Sequence, residues 1–212
     1  MRSVSTHLIV PFYKQHYEFT CGPASLMMAM KYFQKDLKVG RELEMDIWRE
    51  ATMLESYGTS RYGLAFSAAK RGFRVEIYSN IKGAGFVKKI EPFIGKVNQA
   101  MLGFFLQDRR RRAIGLGVKE KFVHKITEEI LCKTLRSGSI PLLLSNAEYF
   151  GAEDIPHWII VSGFDKEAFY AINPLQNGQK KLLLSSFDRV IGYKGDQCMV
   201  AVAKGKPKAS NS

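Results

Sequence analysis

The feature that most constrains the fold is the order of two periodic patterns along the chain. Up to about residue 136 the apolar residues recur mostly at helical spacing, and from residue 140 onward they form short strand-like runs between turn residues. Helices followed by strands predict an α+β fold rather than alternating βαβ units. The predicted strands of the second half are Ile140–Ser145, His157–Gly163, Phe169–Asn173, Lys180–Leu184 and Gln197–Ala203.

One helix of the first half is predicted to lie inside the core. Cys21–Phe33 is apolar on nearly every side, so it has no face suited to solvent. Glu42–Tyr57 has one apolar side and predicts an amphipathic helix. The other predicted elements are an extended segment at Leu8–Tyr13, helices at Tyr62–Arg71, Phe86–Gln107 (interrupted by Pro92 and two glycines) and Thr127–Leu135 (with Thr127 as N-cap), a strand at Phe73–Tyr78 and a helical turn at Ser185–Val190.

Length and composition indicate a single globular domain. The chain has 212 residues, of which 46% are hydrophobic and 25% charged. These values exclude a wholly disordered chain, a collagen-like chain and a disulfide scaffold. We expect one domain over residues 1–203 and a disordered basic tail over residues 204–212, where the side chains are small and polar.

The three cysteines favour a reducing compartment. Their number is odd, they lie far apart, and no two of them form a C-x-x-C pair. No His or Cys pair has the spacing of metal ligands, so neither a metal nor another cofactor is expected. The sequence also shows no signal peptide and no apolar run long enough to cross a membrane, so we expect a cytoplasmic protein without membrane contact.

The net charge of +12 is concentrated in the middle of the chain. Residues 82–125 contain 11 basic and 3 acidic side chains, including the run Arg109–Arg112. Such a segment can neutralise phosphates or attract an acidic protein or peptide. A solvated helix end or loop explains the run equally well. No helix-turn-helix, zinc-finger or aromatic RNA-binding signature accompanies it, which disfavours a nucleic-acid partner.

Cys21 occupies a position that suits a nucleophile. It stands where a polar loop becomes the apolar helix, and Pro23 fits the first turn of that helix. The positive end of the helix dipole and the free amides there stabilise a thiolate over a thiol. The alternative is a buried structural cysteine, which is how we interpret Cys132 in mid-helix and Cys198 in mid-strand.

Three further residues could complete a catalytic site around Cys21. His157 begins an apolar strand and could act as the base that a thiol nucleophile needs. Asn173 ends the next strand, where its carbonyl oxygen could hold one tautomer of the imidazole. The amide of Gln15, six residues before Cys21, could donate to a developing oxyanion together with the Cys21 backbone N–H. Taken singly, each also has a structural explanation in a loop or turn.

The order and spacing of these motifs resemble a known family. Gln15, then Cys21-Gly22-Pro23-Ala24, then His157-Trp158, then Asn173-Pro174 is similar to the papain-like bacteriocin-processing cysteine peptidases. These are the double-glycine leader peptidases and their free-standing bacterial relatives. The chain is most similar to the stand-alone bacterial branch, and the resemblance is densest at Val10–Met30 and extends to shorter stretches at 48–51, 71–76 and 187–189.

The resemblance implies a papain-like fold, with N-terminal helices packed on a C-terminal antiparallel sheet. It implies that Cys21 is the nucleophile, His157 the base, Asn173 the residue that orients the base, and Gln15 part of the oxyanion hole. The expected activity is thiol-dependent amide hydrolysis of a peptide or protein substrate, which the basic segment suggests could be acidic.

The sequence departs from the family pattern in two respects. The family has Asp where this chain has Asn173, so the base would lose the stabilisation that a carboxylate gives to the imidazolium. No transporter is fused to the sequence, so the double-glycine specificity of transporter-linked members is not carried over.

Two other functions fit the same residues. The first keeps the triad but transfers or deamidates a glutamine side chain instead of cutting a peptide. The second is a non-catalytic domain that binds a peptide or acidic partner through residues 82–125. The sequence indicates no oligomeric state.

Overall fold

The computed structural model describes residues 5–53, 57–86 and 99–205. Its helices are α1 (Cys21–Phe33), α2 (Arg41–Ala51), α3 (Arg61–Lys70), α4 (Gln99–Gly115), α5 (Glu128–Arg136) and α6 (Phe187–Val190). Its strands are β1 (Thr6–His7), β2 (Arg74–Ser79), β3 (Lys119–Phe122), β4 (Ile140–Asn146), β5 (Pro156–Phe164), β6 (Ala168–Ile172), β7 (Gln179–Leu183) and β8 (Cys198–Ala203). Short 3-10 turns lie at Gly83–Phe86, Ala147–Phe150 and Leu184–Ser186.

All eight strands join one sheet. Its order is β3-β2-β8-β4-β5-β6-β7, and β1 pairs with β5 away from this path. Neighbouring strands run antiparallel except β2 and β3, which are parallel. In the β5–β6 pair Ile160 lies opposite Ile172, so the start of β5 and the end of β6 meet at the same edge.

Both faces of the central strands are covered. Ile160 of β5 belongs to the apolar cluster that contains α1, whereas its neighbours Ile159 and Val161 belong to a second cluster with Leu131 and Leu135 of α5. Successive side chains of a strand point to opposite faces, so β5 is apolar at consecutive positions because each face has a helix on it.

The α1 helix lies at the centre of the first cluster, as its all-round apolar sequence predicts. Its residues Cys21 to Met30 are all buried. The helix packs on β5 and is flanked by α2 and α3. The hydroxyl of Ser25 donates to the carbonyl oxygen of Trp158 (3.2 Å), which fixes α1 directly to the strand that carries His157.

The α+β prediction is confirmed, and most element positions agree. The α1 bounds are those predicted, and Thr127 caps α5 by accepting from the Ile130 N–H. The five C-terminal strand predictions each fall on an observed strand, and Ser185–Val190 contains α6. The predicted strand at Phe73–Tyr78 corresponds to β2, and the helix at Tyr62–Arg71 to α3.

Other boundaries differ from the predictions. The helix predicted for Glu42–Tyr57 ends at Ala51, because Thr52 turns to extended backbone and the chain reverses so that Thr52 pairs with Thr59. The extended segment predicted at Leu8–Tyr13 is not assigned to a strand, and the short strand β1 lies just before it, at Thr6–His7. The strand β3 was not predicted, because its residues KEKF carry no apolar alternation.

Two predictions involve residues outside the described ranges. Of the helix predicted for Phe86–Gln107, residues 87–98 are not described, and α4 runs past Gly103 to Gly115. Most of the predicted basic tail, residues 206–212, is also outside the description. A single domain over residues 1–203 stays a prediction.

Candidate active site

Cys21 is the first residue of α1 and is 7% exposed. At this position the backbone N–H groups of the first helical turn have no acceptor within the helix, so they are available to stabilise a negative charge near the start of α1. The backbone amides of Gly22 and, from β5, of Trp158 lie near the Cys21 thiol and help to lower its pKa. The sulfur therefore lies between the helix start and the strand that carries His157.

His157 and Asn173 meet at the edge where β5 begins and β6 ends. His157 is 2% exposed and Asn173 is 3% exposed. The Nε2 atom of His157 lies 2.8 Å from Oδ1 of Asn173, which also accepts from the Leu175 N–H at 3.0 Å. Since Oδ1 can only accept, Nε2 carries the proton in this contact. Nδ1 is then the ring nitrogen left to face Cys21.

Cys21 and His157 interact closely enough that each shifts the pKa of the other. Burial opposes ionisation of the thiol, but the charge and hydrogen bond of His157 outweigh it and lower the pKa of Cys21. Burial likewise opposes protonation of the imidazole, but the charge and hydrogen bond of Cys21, with the bond to Asn173, raise the pKa of His157. The two shifts together favour a thiolate–imidazolium pair.

Only the oxygen of the Asn173 side-chain amide has hydrogen-bond partners among the described residues. Its Oδ1 has two donors, whereas its Nδ2 is buried without a hydrogen-bond partner among the described residues. The oxygen alone therefore holds the imidazole. The side chain gives His157 an acceptor without a negative charge, which is the difference from Asp that the sequence indicated.

Gln15 is buried close to this edge, but its amide is turned towards its own loop. Its backbone N–H donates to the carbonyl oxygen of Pro174 (3.0 Å), next to Asn173. Its Nε2 donates to the carbonyl oxygens of Tyr17 (2.7 Å) and Glu18 (3.1 Å). The structure thus brings Cys21, His157 and Asn173 together and places the Gln15 amide hydrogens on backbone oxygens of the approach loop.

A buried carboxylate that was not among the predicted site residues fixes this loop. Glu44 of α2 is fully buried. It accepts from Tyr13 Oη (2.9 Å), the His16 backbone N–H (2.9 Å) and Thr20 Oγ1 (2.5 Å), and Nδ1 of His16 lies 2.9 Å away. Thr20 immediately precedes Cys21, so Glu44 holds both ends of the loop that contains Gln15.

A signal for Glu44 is present in the sequence. It lies three positions before Ile47 and seven before Ala51, which places a carboxylate on the buried face of an amphipathic helix. A charge on such a face needs several donors, and the polar loop before Cys21 supplies them.

Gly22 is required by a close approach of Thr59. A Cβ atom at Gly22 would lie 2.1 Å from Thr59 Oγ1, so no larger residue fits without movement. The chain reversal after α2 brings Thr59 to this place, and the Thr59 carbonyl oxygen accepts from Nε1 of Trp158 (3.2 Å). Because α2 ends at Ala51, the chain can return and place Thr59 against Gly22 at the start of α1.

A cleft of about 350 Å³ opens beside Cys21 and His157. Seven of its lining side chains are large and apolar, namely Phe19, Met53, Tyr57, Phe86, Leu144, Ile155 and Trp158. Arg61 and Asp196 also line it, and they form a buried ion pair with each other. The cleft is an apolar space whose lining includes the Cys21 thiol and the His157 imidazole, the two groups with shifted pKa values.

The basic run Arg109–Arg112 lies away from the lining of this cleft. Arg110 pairs with Glu120 (2.7 Å), and Asp108 contacts both Arg111 (2.8 Å) and Arg112 (2.7 Å). Part of the positive charge of the segment is therefore neutralised by its own neighbours.

The other two cysteines lie in settings unlike that of Cys21. Cys198 is fully buried in β8, and burial raises the pKa of its thiol to about 12. Cys132 is half-buried on α5. Over the described ranges, no cluster of three or more His, Cys, Asp or Glu side chains could hold a metal ion. No helix within those ranges has the length and apolar character needed to cross a membrane.

Comparison with known proteins yields one family and several solved structures, among them the following two. The sequence model of the peptidase C39-like family matches residues 10–199. A protein from Bacillus anthracis described as a C39-like peptidase superposes with a TM-score of 0.57 at 15% identity, over 96% of this chain and 100% of that one. A double-glycine motif protease from an AMS/PCAT transporter, in complex with the leader peptide, gives 0.51 at 13% identity, over 96% and 100% of the two chains.

At these identities the structural matches establish a common fold, which confirms the predicted peptidase fold. Among curated protein sequences, no significant match was found.

Proposed function

The chain belongs to the peptidase C39-like family, and on this premise we propose that it is a cysteine peptidase in which Cys21, His157 and Asn173 form the catalytic triad. The observation that carries the proposal is that the buried His157 imidazole is hydrogen-bonded to Asn173 and, with the Cys21 thiol, forms a pair in which each group shifts the pKa of the other. A buried thiol that only filled space would have its pKa raised, as in Cys198, whereas the pKa of Cys21 is lowered.

In the proposed reaction the Cys21 thiolate attacks the carbonyl carbon of a peptide bond. The imidazolium of His157 gives its proton to the leaving amine, and a C–S thioester remains on Cys21. Water then attacks the thioester while His157 takes a proton from it, which releases the acid and restores the thiolate. Asn173 keeps the ring oriented by accepting the Nε2–H throughout.

The oxyanion of each tetrahedral intermediate needs donors. The backbone N–H of Cys21, at the start of α1, is one candidate. We assign the Gln15 amide as the second, which requires one of its hydrogens to leave the carbonyl of Tyr17 or Glu18. Of these two contacts the one to Glu18 is the longer, 3.1 Å against 2.7 Å, and is the one we expect to be given up.

A peptide is the proposed substrate. The solved double-glycine motif protease holds a leader peptide, and the cleft beside Cys21 has the size of a pocket for one or a few residues. We place the activity in the cytoplasm, because the number of cysteines is odd and the three lie far apart in the sequence, which favours a reducing compartment.

The test is selective alkylation. Iodoacetamide should modify Cys21 at neutral pH much faster than Cys132 or Cys198, measured by mass spectrometry of the digested protein over time. The His157→Ala variant is the matched control and should lose this selectivity. Equal and slow labelling of all three cysteines would contradict the proposal. Cleaved products from peptide mixtures, absent with Cys21→Ala, would distinguish a peptidase from a deamidase, which leaves the peptide chain uncut.

A further inference from the structure

The cleft beside Cys21 carries an inference about the substrate that rests on the proposed function. We propose that this cleft is a specificity pocket for one large, uncharged apolar side chain, leucine- or phenylalanine-like, at one of the two positions that precede the bond that is cut.

The position of the cleft limits which substrate residue can reach it. Cys21 and His157 are themselves part of its lining. Successive Cα atoms lie about 3.8 Å apart, so a side chain that fills a space beginning at the nucleophile belongs to a residue next to the scissile bond or one further along.

The lining determines the chemical class. The walls come from Phe19 and Met53 on the helical side and from Leu144, Ile155 and Trp158 on the strands β4 and β5 and the segment before β5. An apolar side chain placed among such walls gains the free energy of removing both surfaces from water. A polar or charged side chain would lose its hydration there without equivalent partners.

The charged residues of the cleft do not call for a charged substrate. The guanidinium of Arg61 donates to Asp196 and to Ser79 Oγ, and its central carbon lies 4.2 Å from the centroid of the Phe86 ring. Arg61 is 2% exposed. Its charge is thus met by a carboxylate and an aromatic face inside the protein, and an incoming carboxylate would have to displace Asp196.

The volume argues against a substrate with glycine at both positions beside the cut. Glycine has no side chain, so a Gly-Gly sequence would leave a cleft of about 350 Å³ unfilled. This volume lies at the lower end of the range for ligand pockets, which suits a single large side chain. The apolar cleft therefore separates this chain from a peptidase that reads two glycines.

The experiment compares two series of peptide chloromethyl ketones, which form a C–S bond with a thiolate and release chloride. The first is N-acetyl-X-glycyl chloromethyl ketone and the second N-acetyl-glycyl-X chloromethyl ketone, with X as glycine, leucine, phenylalanine or glutamate. The rate of adduct formation at Cys21 is followed by mass spectrometry. We expect leucine or phenylalanine to react about 10- to 100-fold faster than glycine in one series, with glutamate no faster than glycine.

Equal rates for glycine, leucine and phenylalanine in both series would overturn the inference. That outcome differs from failure of the proposed function, in which no ketone modifies Cys21 faster than it modifies Cys132.

Variants of the cleft give a second, independent result. Ile155→Trp puts a larger side chain into the cleft from a half-buried position, and Tyr57→Ala removes a wall that is 56% exposed. Both should reduce the ratio of the phenylalanine rate to the glycine rate. The matched control is Phe104→Ala on α4, an exposed aromatic residue that is not part of the cleft lining, and it should keep the wild-type ratio. An unchanged ratio in both cleft variants, with folding verified by thermal unfolding, would refute the pocket.

Discussion

Removing the buried carboxylate of Glu44 tests how the loop before the nucleophile is held. In Glu44→Ala the Thr20 hydroxyl keeps one acceptor, the Tyr17 carbonyl oxygen at 2.8 Å. Tyr13 and the His16 ring lie close enough to solvent to regain water, whereas the His16 backbone N–H loses its acceptor. A lost charge-assisted bond is worth about 1.5–3 kcal/mol, and a cavity in a fully buried place adds to it. We expect a loss of about 2–4 kcal/mol.

Glu44→Gln is the matched control for the same position. Its amide oxygen can accept from the His16 N–H and from Thr20, as Oε1 of Glu44 does. Its NH₂ group replaces Oε2 and can donate to the Tyr13 oxygen and to Nδ1 of His16. The variant loses the charge but keeps the bonds, so we expect a loss of only about 1 kcal/mol.

The assay is urea unfolding followed by the fluorescence of Trp48 and Trp158. Both variants should unfold with the wild-type slope, so the shift of the midpoint gives the difference in free energy of unfolding directly. A domain stable by about 5–15 kcal/mol survives either change, and the comparison remains measurable. Equal losses for Ala and Gln, or a loss below about 1 kcal/mol for Ala, would refute the role assigned to the hydrogen bonds of Glu44.

Three further predictions concern the triad and the start of α1. His157→Ala should move the pH dependence of Cys21 alkylation to higher pH: the thiolate is the reactive form, and the imidazolium holds the thiol pKa below its ordinary 9.0. An unmoved profile, measured by mass spectrometry, would contradict the pairing. Gly22→Ala should cost about 2–3 kcal/mol in urea unfolding, because the new Cβ would lie 2.1 Å from Thr59 Oγ1. The added change Thr59→Ala should recover part of this loss, and simple additivity would count against the clash. Asn173→Asp puts a carboxylate beside His157, which should raise the imidazole pKa and move the alkaline limb of the kcat/KM profile to higher pH, since the base must be protonated to release the amine. A limb at the wild-type pH would oppose this role for position 173.

Local patterns in the sequence predicted the parts of the fold that depend on local physics. The α1 helix could be found because a segment apolar on every side has only the core to lie in, and its bounds agree with the structure. The strands after residue 140 follow from short apolar runs between turn residues. β3 was missed because it is a polar edge strand. It is held by its pairing with β2, and its sequence contains no apolar alternation that would predict a strand.

The candidate site depended on contacts between distant residues, which local patterns do not contain. The residue types of Cys21, His157 and Asn173 suggested their chemistry, and the sheet register brings the last two together. Glu44 was missed because its partners lie 24 to 31 positions earlier and meet it only when α2 packs on the loop. The early end of α2 likewise depends on tertiary structure, since Thr52 pairs with Thr59 and Thr59 packs closely against Gly22.

The contact between α1 and β5 also determines when the thiol can become reactive. Ser25 and Trp158, which join the two elements, are 133 positions apart. A ribosome that adds roughly 5–20 residues per second needs about 7–27 s to pass from one to the other. Throughout that interval the imidazole that lowers the Cys21 pKa has not been synthesised. The nascent chain therefore carries an ordinary thiol, and reactivity is acquired only as the sheet is completed.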